Sequence, residues 1–294
     1  MDYKYTSLEW ARATLPKRKR DANKGTYGRL FAYVGSDTYM GAAHLALESA
    51  LRGGVGYVEA GVSGELKNTL LLKFPEIIYK DFASADKLSV LDMQSLVAEQ
   101  RRSTATLVGC GSSKSNALFE IIAMLLSEDG GALVLDADAI NSMADNRERA
   151  FELLKNAKRR VVLTPHPLEF SRLSGLDIAY INENREKSAK EFAKENKCVV
   201  LLKGNGTVIT DGDTVYVNTT GSSALAKAGS GDTLAGLVAA VLATTVLPSL
   251  EAVALCAYVH GMAGDRLATE LSEYGVTPSD LPREMAKVLS EIEN

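Results

Sequence analysis

Asp232 closes the stretch Ala228-Gly229-Ser230-Gly231-Asp232 and opens a long run of small and apolar residues. An acid behind a glycine-rich turn at the start of a helix suits phosphoryl transfer. Unpaired N–H groups and the helix dipole favour an anion there. Glycines let the backbone approach phosphate with no Cβ in the way, which makes Gly229, Ser230 and Gly231 a candidate anion hole. Asp232 would orient the attacking hydroxyl, and a loose transition state needs orientation more than strong basicity. At a helix start its pKa should be low. The small side chains from Gly221 to Gly236 read as backbone that must lie against a ligand. An N-cap at Asp232 behind a tight turn would leave the same residues.

Three further groups could share that chemistry. Lys203-Gly204-Asn205-Gly206-Thr207 follows the apolar run Val199 to Leu202. A lysine at a strand end before Gly-x-Gly can line an adenine nucleotide; a left-handed turn with a solvated lysine is the alternative. The spacing is not that of a Walker A loop. His166, held between Pro165 and Pro167, reads as a substrate contact. Glu169 is a candidate Mg2+ ligand acting through water, or a helix-start acid favoured by the dipole. Asp136 and Asp138 pair two carboxylates at a strand end, which usually serves a hard cation; N-capping by Asp138 is compatible with that. Gly41 and Ala42 would admit a bulky ligand beside a helix start. Zinc is not expected, because His44 and His260 sit in helical patterns away from His166.

The elements that must carry these groups alternate as strand, loop and helix. Continuous apolar runs within RLFAYVG (29–35), TATLVGCGSS (104–113), ALVLDADAIN (132–141), RRVVLTPHP (159–167) and CVVLLKGNG (198–206) imply strands buried on both faces. Helices are predicted over 41–54, 116–128, 232–244, 250–271 and 279–292, and a hairpin turns at Asp211-Gly212-Asp213. The fold class is α/β, a three-layer αβα sandwich around a mainly parallel sheet, with residues 1–294 as a single domain. Ligands bind outside the carboxyl ends of such strands. Those ends carry Gly35-Ser36, Gly109-Cys110-Gly111, Asp136 to Asp138, Pro165 to Pro167 and Lys203 to Gly206.

Composition narrows the function classes. The net charge of -4 argues against nucleic acid, and the basic run Pro16 to Lys24 reads as a solvated segment. Cys110, Cys198 and Cys256 are too widely spaced for a disulfide framework or a metal knuckle. The N-terminus lacks a signal-peptide pattern. The apolar run from Leu234 to Leu247 is too short to span a bilayer. A cytoplasmic enzyme without membrane contact is expected, and a homo-oligomer.

The motifs "KGTYGRLFAYVGSDTYMGAAHLALESALRGGVGYV", "GCGSS", "LVLDADAIN", "TPHPLEF", "LLKGNGTVI", "AGSGDTLAG" and "AYVHGMAGD" follow one another in an order and spacing that resembles the ADP/ATP-dependent (S)-NAD(P)H-hydrate dehydratases of the ribokinase-like superfamily. The resemblance runs from about Leu15 to Leu271. It implies dehydration of hydrated NADH or NADPH (NADHX, NADPHX) at the expense of ADP or ATP with Mg2+, through phosphorylation of the hydrate hydroxyl. It implies that Asp232 activates that hydroxyl and also contacts the hydrate. Gly229 to Gly231 would form the anion hole. Lys203, Gly204, Asn205, Gly206, Thr207 and Gly231 would hold the nucleotide. Ala42, Gly111 and His166 would meet the hydrate, and Glu169 and Asp138 are candidate Mg2+ ligands. Leu168 and Gly109-Cys110-Gly111-Ser112-Ser113 depart from the family pattern. A separate NAD(P)H-hydrate epimerase is the implied pathway partner. A ribokinase-like kinase for a thiazole or hydroxymethylpyrimidine is the alternative function.

Overall fold

The runs Ala105–Val108 and Ala132–Leu135 are buried along their whole length. Successive residues of a strand face opposite sides. Ala132 and Val134 accordingly enter one core and Leu133 and Leu135 the other. A sheet with two apolar faces needs cover on both, which the helices provide. The computed structural model describes residues 3–244 and 247–294. Residues 1–2, in the N-terminal segment, and 245–246, inside the apolar run 234–247, lie outside the described residues.

The strands are β1 (Lys4–Tyr5), β2 (Arg29–Tyr33), β3 (Tyr57–Val62), β4 (Ile78–Asp81), β5 (Ala105–Val108), β6 (Ala132–Leu135), β7 (Val161–Leu163), β8 (Val199–Leu202), β9 (Val208–Thr210) and β10 (Val215–Val217). They form one sheet in the order β1-β10-β9-β8-β7-β6-β5-β2-β3-β4. From β4 to β8 every pairing is parallel; β9 runs antiparallel to both β8 and β10. The chain leaves β2 towards β3 and β4, then returns to place β5 on the other side of β2. The crevice at such a reversal is where open α/β sheets bind ligands.

The helices are α1 (Leu8–Thr14), α2 (Met40–Arg52), α3 (Gly64–Leu71), α4 (Val90–Gln100), α5 (Asn116–Ser127), α6 (Asp138–Ala144), α7 (Arg147–Asn156), α8 (Pro167–Ser174), α9 (Ile178–Glu183), α10 (Arg185–Asn196), α11 (Ser230–Thr244), α12 (Ser249–Gly275) and α13 (Leu281–Glu293). Residues of α2, α11, α12 and α13 build the core on one face, and those of α4 to α8 and α10 the core on the other. The architecture is the expected three-layer α/β sandwich.

Several boundaries differ from the sequence reading. α11 begins at Ser230, so Asp232 lies inside its first turn and is not the N-cap. α12 runs past Leu271 to Gly275, across a break at Ser272. The small residues of α11 have a second cause. A Cβ on Gly236 would stand 2.0 Å from the Ala46 carbonyl of α2. That glycine serves helix packing, not a ligand.

Candidate active site

Asp136 follows β6, and the next residue turns the chain sharply. Ala137 has φ 47° and ψ −111°, a region an L-residue rarely adopts. The turn sends the two acids different ways. Asp138 accepts the Ser113 N–H at 2.9 Å. It is not the N-cap expected from sequence: Ala137 holds the cap position and Asp138 is the first helical residue. Asp136 turns inward and is 1% exposed. It accepts from the Thr164 hydroxyl at 2.7 Å, the Lys203 ammonium at 2.8 Å and the Cys110 thiol at 3.6 Å. Gly109 permits this closeness, since a Cβ there would sit 2.0 Å from the Asp136 carbonyl.

Asp232 faces the same place from the other side. The Cys110 sulfur and carboxylate oxygens of Asp136 and Asp232 lie within 4.8 Å of one another. Burial, and then the charge of Asp136, push the Asp232 carboxyl up to about 7; Lys203 and the Cys110 thiol oppose this less strongly. The expected low pKa is therefore overturned. A helix start favours an ionised acid by a fraction of a unit to about one unit, and loss of water together with a neighbouring carboxylate outweighs that. Behind Asp232, Thr233 donates to the Ser230 carbonyl at 2.8 Å and meets His260 Nε2 at 3.1 Å. Burial lowers His260 to about 4, so its ring is neutral near pH 7.

Lys203 follows β8 and reaches across to this cluster. Burial pulls its pKa down, but Asp136 and Glu169 outweigh burial and leave it above the ordinary value. Its ammonium lies 3.9 Å from Glu169 Oε2, and 3.2 Å from where a Gly231 Cβ would be. Arg185, which the sequence did not single out, and the expected Thr207 brace the loop behind it. The Arg185 guanidinium donates to the carbonyls of Leu202 and Lys203 at 3.0 and 3.1 Å. Thr207 Oγ1 donates to the Gly204 carbonyl at 2.9 Å and accepts its N–H at 3.3 Å. Gly206 has φ +63°, while a Cβ there would meet nothing nearer than Val217 at 3.8 Å. Its freedom serves the turn more than the space.

His166 caps α8. Its Nδ1 accepts the N–H groups of Leu168 and Glu169, both at 3.2 Å, and Glu169 returns the bond by accepting the His166 N–H at 2.8 Å. Partial burial, then the Lys203 charge, lower its pKa. With Nδ1 accepting, the neutral ring carries its proton on Nε2 and can donate from it. Burial raises the carboxyls of Glu169 and Asp138.

Two cavities meet over Lys203. One, of about 630 Å³, is lined by Gly204, Asn205, Thr207, Asn218, Gly221 and Gly261 among others. The second, of about 470 Å³, is lined by Asp136, Ala137, His166, Gly229 and Asp232. Lys203, Ser230 and Gly231 border both. Asp232, His166, Lys203 and the turn Gly229 to Gly231 are thus brought together. Gly206 stands behind its neighbours and lines neither cavity. Ala42 and Gly111 meet at the reversal between β2 and β5, where a Cβ on Gly111 would lie 2.7 Å from that of Ala42. They line neither cavity either. The sequence presents Asp136 only as half of an acidic pair, of which Asp138 is the candidate cation ligand. Cys110 and Thr164 had no local signal.

A family model described as NAD(P)H-hydrate dehydratase matches residues 32–287. The bifunctional NAD(P)H-hydrate repair enzyme Nnr of Moorella thermoacetica is 36% identical over 288 residues, which cover 97% of this chain and 53% of that one. The chain spans about half the length of the first curated relatives it matches. The crystal structure of the ADP/ATP-dependent NAD(P)H-hydrate dehydratase from Bacillus subtilis, co-crystallised with ATP/Mg2+, superposes with a TM-score of 0.86 at 30% identity, covering 100% of both chains. A ribokinase-like superfamily protein of Enterococcus faecalis, at 24% identity, covers 99% and 97% with a TM-score of 0.86 and shows the fold alone. The fold is ribokinase-like.

Proposed function

The chain belongs to the NAD(P)H-hydrate dehydratase family, and on that premise we propose that it converts the S form of hydrated NADH or NADPH back to NAD(P)H while consuming ADP or ATP. One observation carries the chemical part of this reading. A carboxyl raised to about 7 sits in the first turn of α11 and lines the smaller of the two cavities that meet over Lys203. A base poised near neutral pH is what hydroxyl activation needs.

In this reading the nucleotide lies in the larger cavity against Lys203, Gly204, Asn205 and Thr207, with Gly206 shaping the turn. The hydrate enters the smaller cavity, where His166 Nε2–H donates to it, and Ala42 and Gly111 shape the crevice floor. N–H groups of Gly229 to Gly231 hold the phosphoryl oxygens. The hydrate hydroxyl oxygen attacks the terminal phosphorus, the bond to the nucleotide's bridging oxygen breaks, and the hydroxyl proton passes to Asp232. Phosphate then leaves with the C–O bonding pair, and loss of a proton from the neighbouring ring carbon restores the double bond.

Mg2+ enters with the nucleotide. Asp138 and Glu169 would hold it: Asp138 keeps one carboxylate oxygen clear of the Ser113 amide, while Glu169 is buried, accepts the His166 N–H and lies beside Lys203, so that it would act through water. When bound, the ion neutralises phosphate charge. No helix among the described residues is long and apolar enough to cross a membrane. The reading adds a cytoplasmic setting, a homo-oligomer and an NAD(P)H-hydrate epimerase as partner.

The test is incubation with NADHX, Mg2+ and ADP or ATP, following reduced nicotinamide by its absorbance. Nucleotide-dependent recovery of NADH with release of inorganic phosphate is expected. A stable phosphorylated product would instead mean a small-molecule kinase, and absence of turnover a binding protein.

A further inference from the structure

Lys203 has a choice of anions. Asp136, Glu169 and Asp232 all act on its ammonium, yet it donates to Asp136 Oδ1 at 2.8 Å and stays 3.9 Å from Glu169. Among the described residues no cation lies within ion-pair distance of Asp232. Asp136 can hold Lys203 because its own carboxylate is fixed. Thr164 donates to the same oxygen at 2.7 Å, Cys110 donates to the other at 3.6 Å, and the side chain is 2% exposed. The hold is at the decisive place, since Lys203 borders both cavities and lies over Gly231, the residue before Asp232.

We propose that Asp136 is a positioning residue for phosphoryl transfer: it holds the Lys203 ammonium away from Asp232, which leaves the Asp232 carboxylate free to take the proton of the substrate hydroxyl. A lysine paired with Asp232 would compete for the lone pair that must accept that proton. Held on Asp136, the same lysine still faces the space between the cavities, where phosphoryl charge crosses. Asp138 faces Asp232 only at longer range and is bound to the Ser113 amide. Glu169, the nearer anion at 3.9 Å, already accepts the His166 N–H on the same Oε2 at 2.8 Å, which leaves Asp232 as the free carboxylate. The inference rests on the reading of Asp232 as the base.

The test is a set of kinetic variants: Asp136→Asn, Lys203→Gln and the two combined. In Asp136→Asn the lysine turns to Asp232, so kcat falls at least ~10-fold as general-base help is lost. KM for the hydrate should change less than about three-fold, because the group that moves, Lys203, is the one placed against the nucleotide. Adding Lys203→Gln to Asp136→Asn should cost much less than Lys203→Gln costs the wild type, or restore part of kcat, because the competitor of Asp232 is gone. Losses that multiply across the two sites would overturn the proposal, as would a changed KM with kcat intact. Should Asp136→Asn not fold, Thr164→Val loosens the same carboxylate at full charge. It should lower kcat a few-fold at unchanged KM for the hydrate, and an unchanged kcat would overturn the proposal. Asp232→Asn separates the two levels. If it keeps kcat, the base reading falls. If it is inactive while the paired variants multiply, only the role of Asp136 falls.

Discussion

The two sides of the cleft are built differently. The side proposed for the nucleotide is a backbone construction, in which Gly204 and Gly206 take positive φ and Thr207 closes the turn on itself. The side proposed for the hydrate, with Lys203 where the two cavities meet, is a charge construction. Asp136, Lys203, Asp232 and Cys110 come from four separate segments, and the charge of Asp136 raises the pKa of the other three. A backbone site tolerates changes that keep its turn. A charge site fails when one member changes its ionisation. Substitutions on the two sides should therefore differ in kind as well as in size.

The largest effect should come from Asp232→Asn. It keeps the shape and removes the proton acceptor, so kcat should fall at least ~10²-fold with KM values changed only a few-fold. Steady-state kinetics on a folded variant decides this. The same substitution should raise stability. An acid whose folded pKa is raised is tolerated protonated, so its penalty is absent below the unfolded value of 3.8, grows as pH rises towards about 7, and is complete above that. At alkaline pH Asp232→Asn should melt a few degrees above wild type, and the gap should close on acidification. Calorimetry showing a gap independent of pH would mean that the carboxyl is not strained by its surroundings.

His166→Ala sharpens the division of the cleft. It removes one donor from the hydrate side, so KM for the hydrate should rise about 5–30-fold, the equivalent of one hydrogen bond of about 1–2 kcal/mol. KM for the nucleotide should stay nearly constant. The reverse pattern would show that the two sides are exchanged. The smallest effect should be that of Gly206→Ala, because its Cβ would meet only Val217 at 3.8 Å. The left-handed backbone should cost about 1–2 kcal/mol of stability, read by denaturant melts, while nucleotide affinity measured by calorimetry stays within about three-fold.

The same division explains what was legible in the sequence. Glycine positions encode backbone, so the turn after Lys203 and the hairpin at Asp211 could be read directly. Asp211 indeed accepts the N–H groups of Asp213 and Thr214 at 3.0 and 2.9 Å. The buried strands were legible because a run such as Val199 to Leu202 has no side for water. α3, β4 and α10 were not, since they are short or mixed in polarity and take their form from packing on the sheet. Charge states were the least legible. A local rule placed the Asp232 pKa low, and a carboxylate from a distant strand reversed it. Which of Asp136 and Asp138 turns inward depended on the strained backbone of Ala137, which no residue type announces. Gly236 was misread because a glycine against a helix and one against a ligand look alike in sequence.

The pH dependence of kcat tests the central claim most directly. If Asp232 is the base at a site that holds its pKa near 7, kcat should be low in acid, rise about ten-fold per pH unit through the region just below neutrality, reach half its maximum near pH 7, and then level off. That limb should vanish in the residual activity of Asp232→Asn. A wild-type kcat that stays flat from about pH 5 to about pH 9, or a limb that survives in Asp232→Asn, would contradict the account.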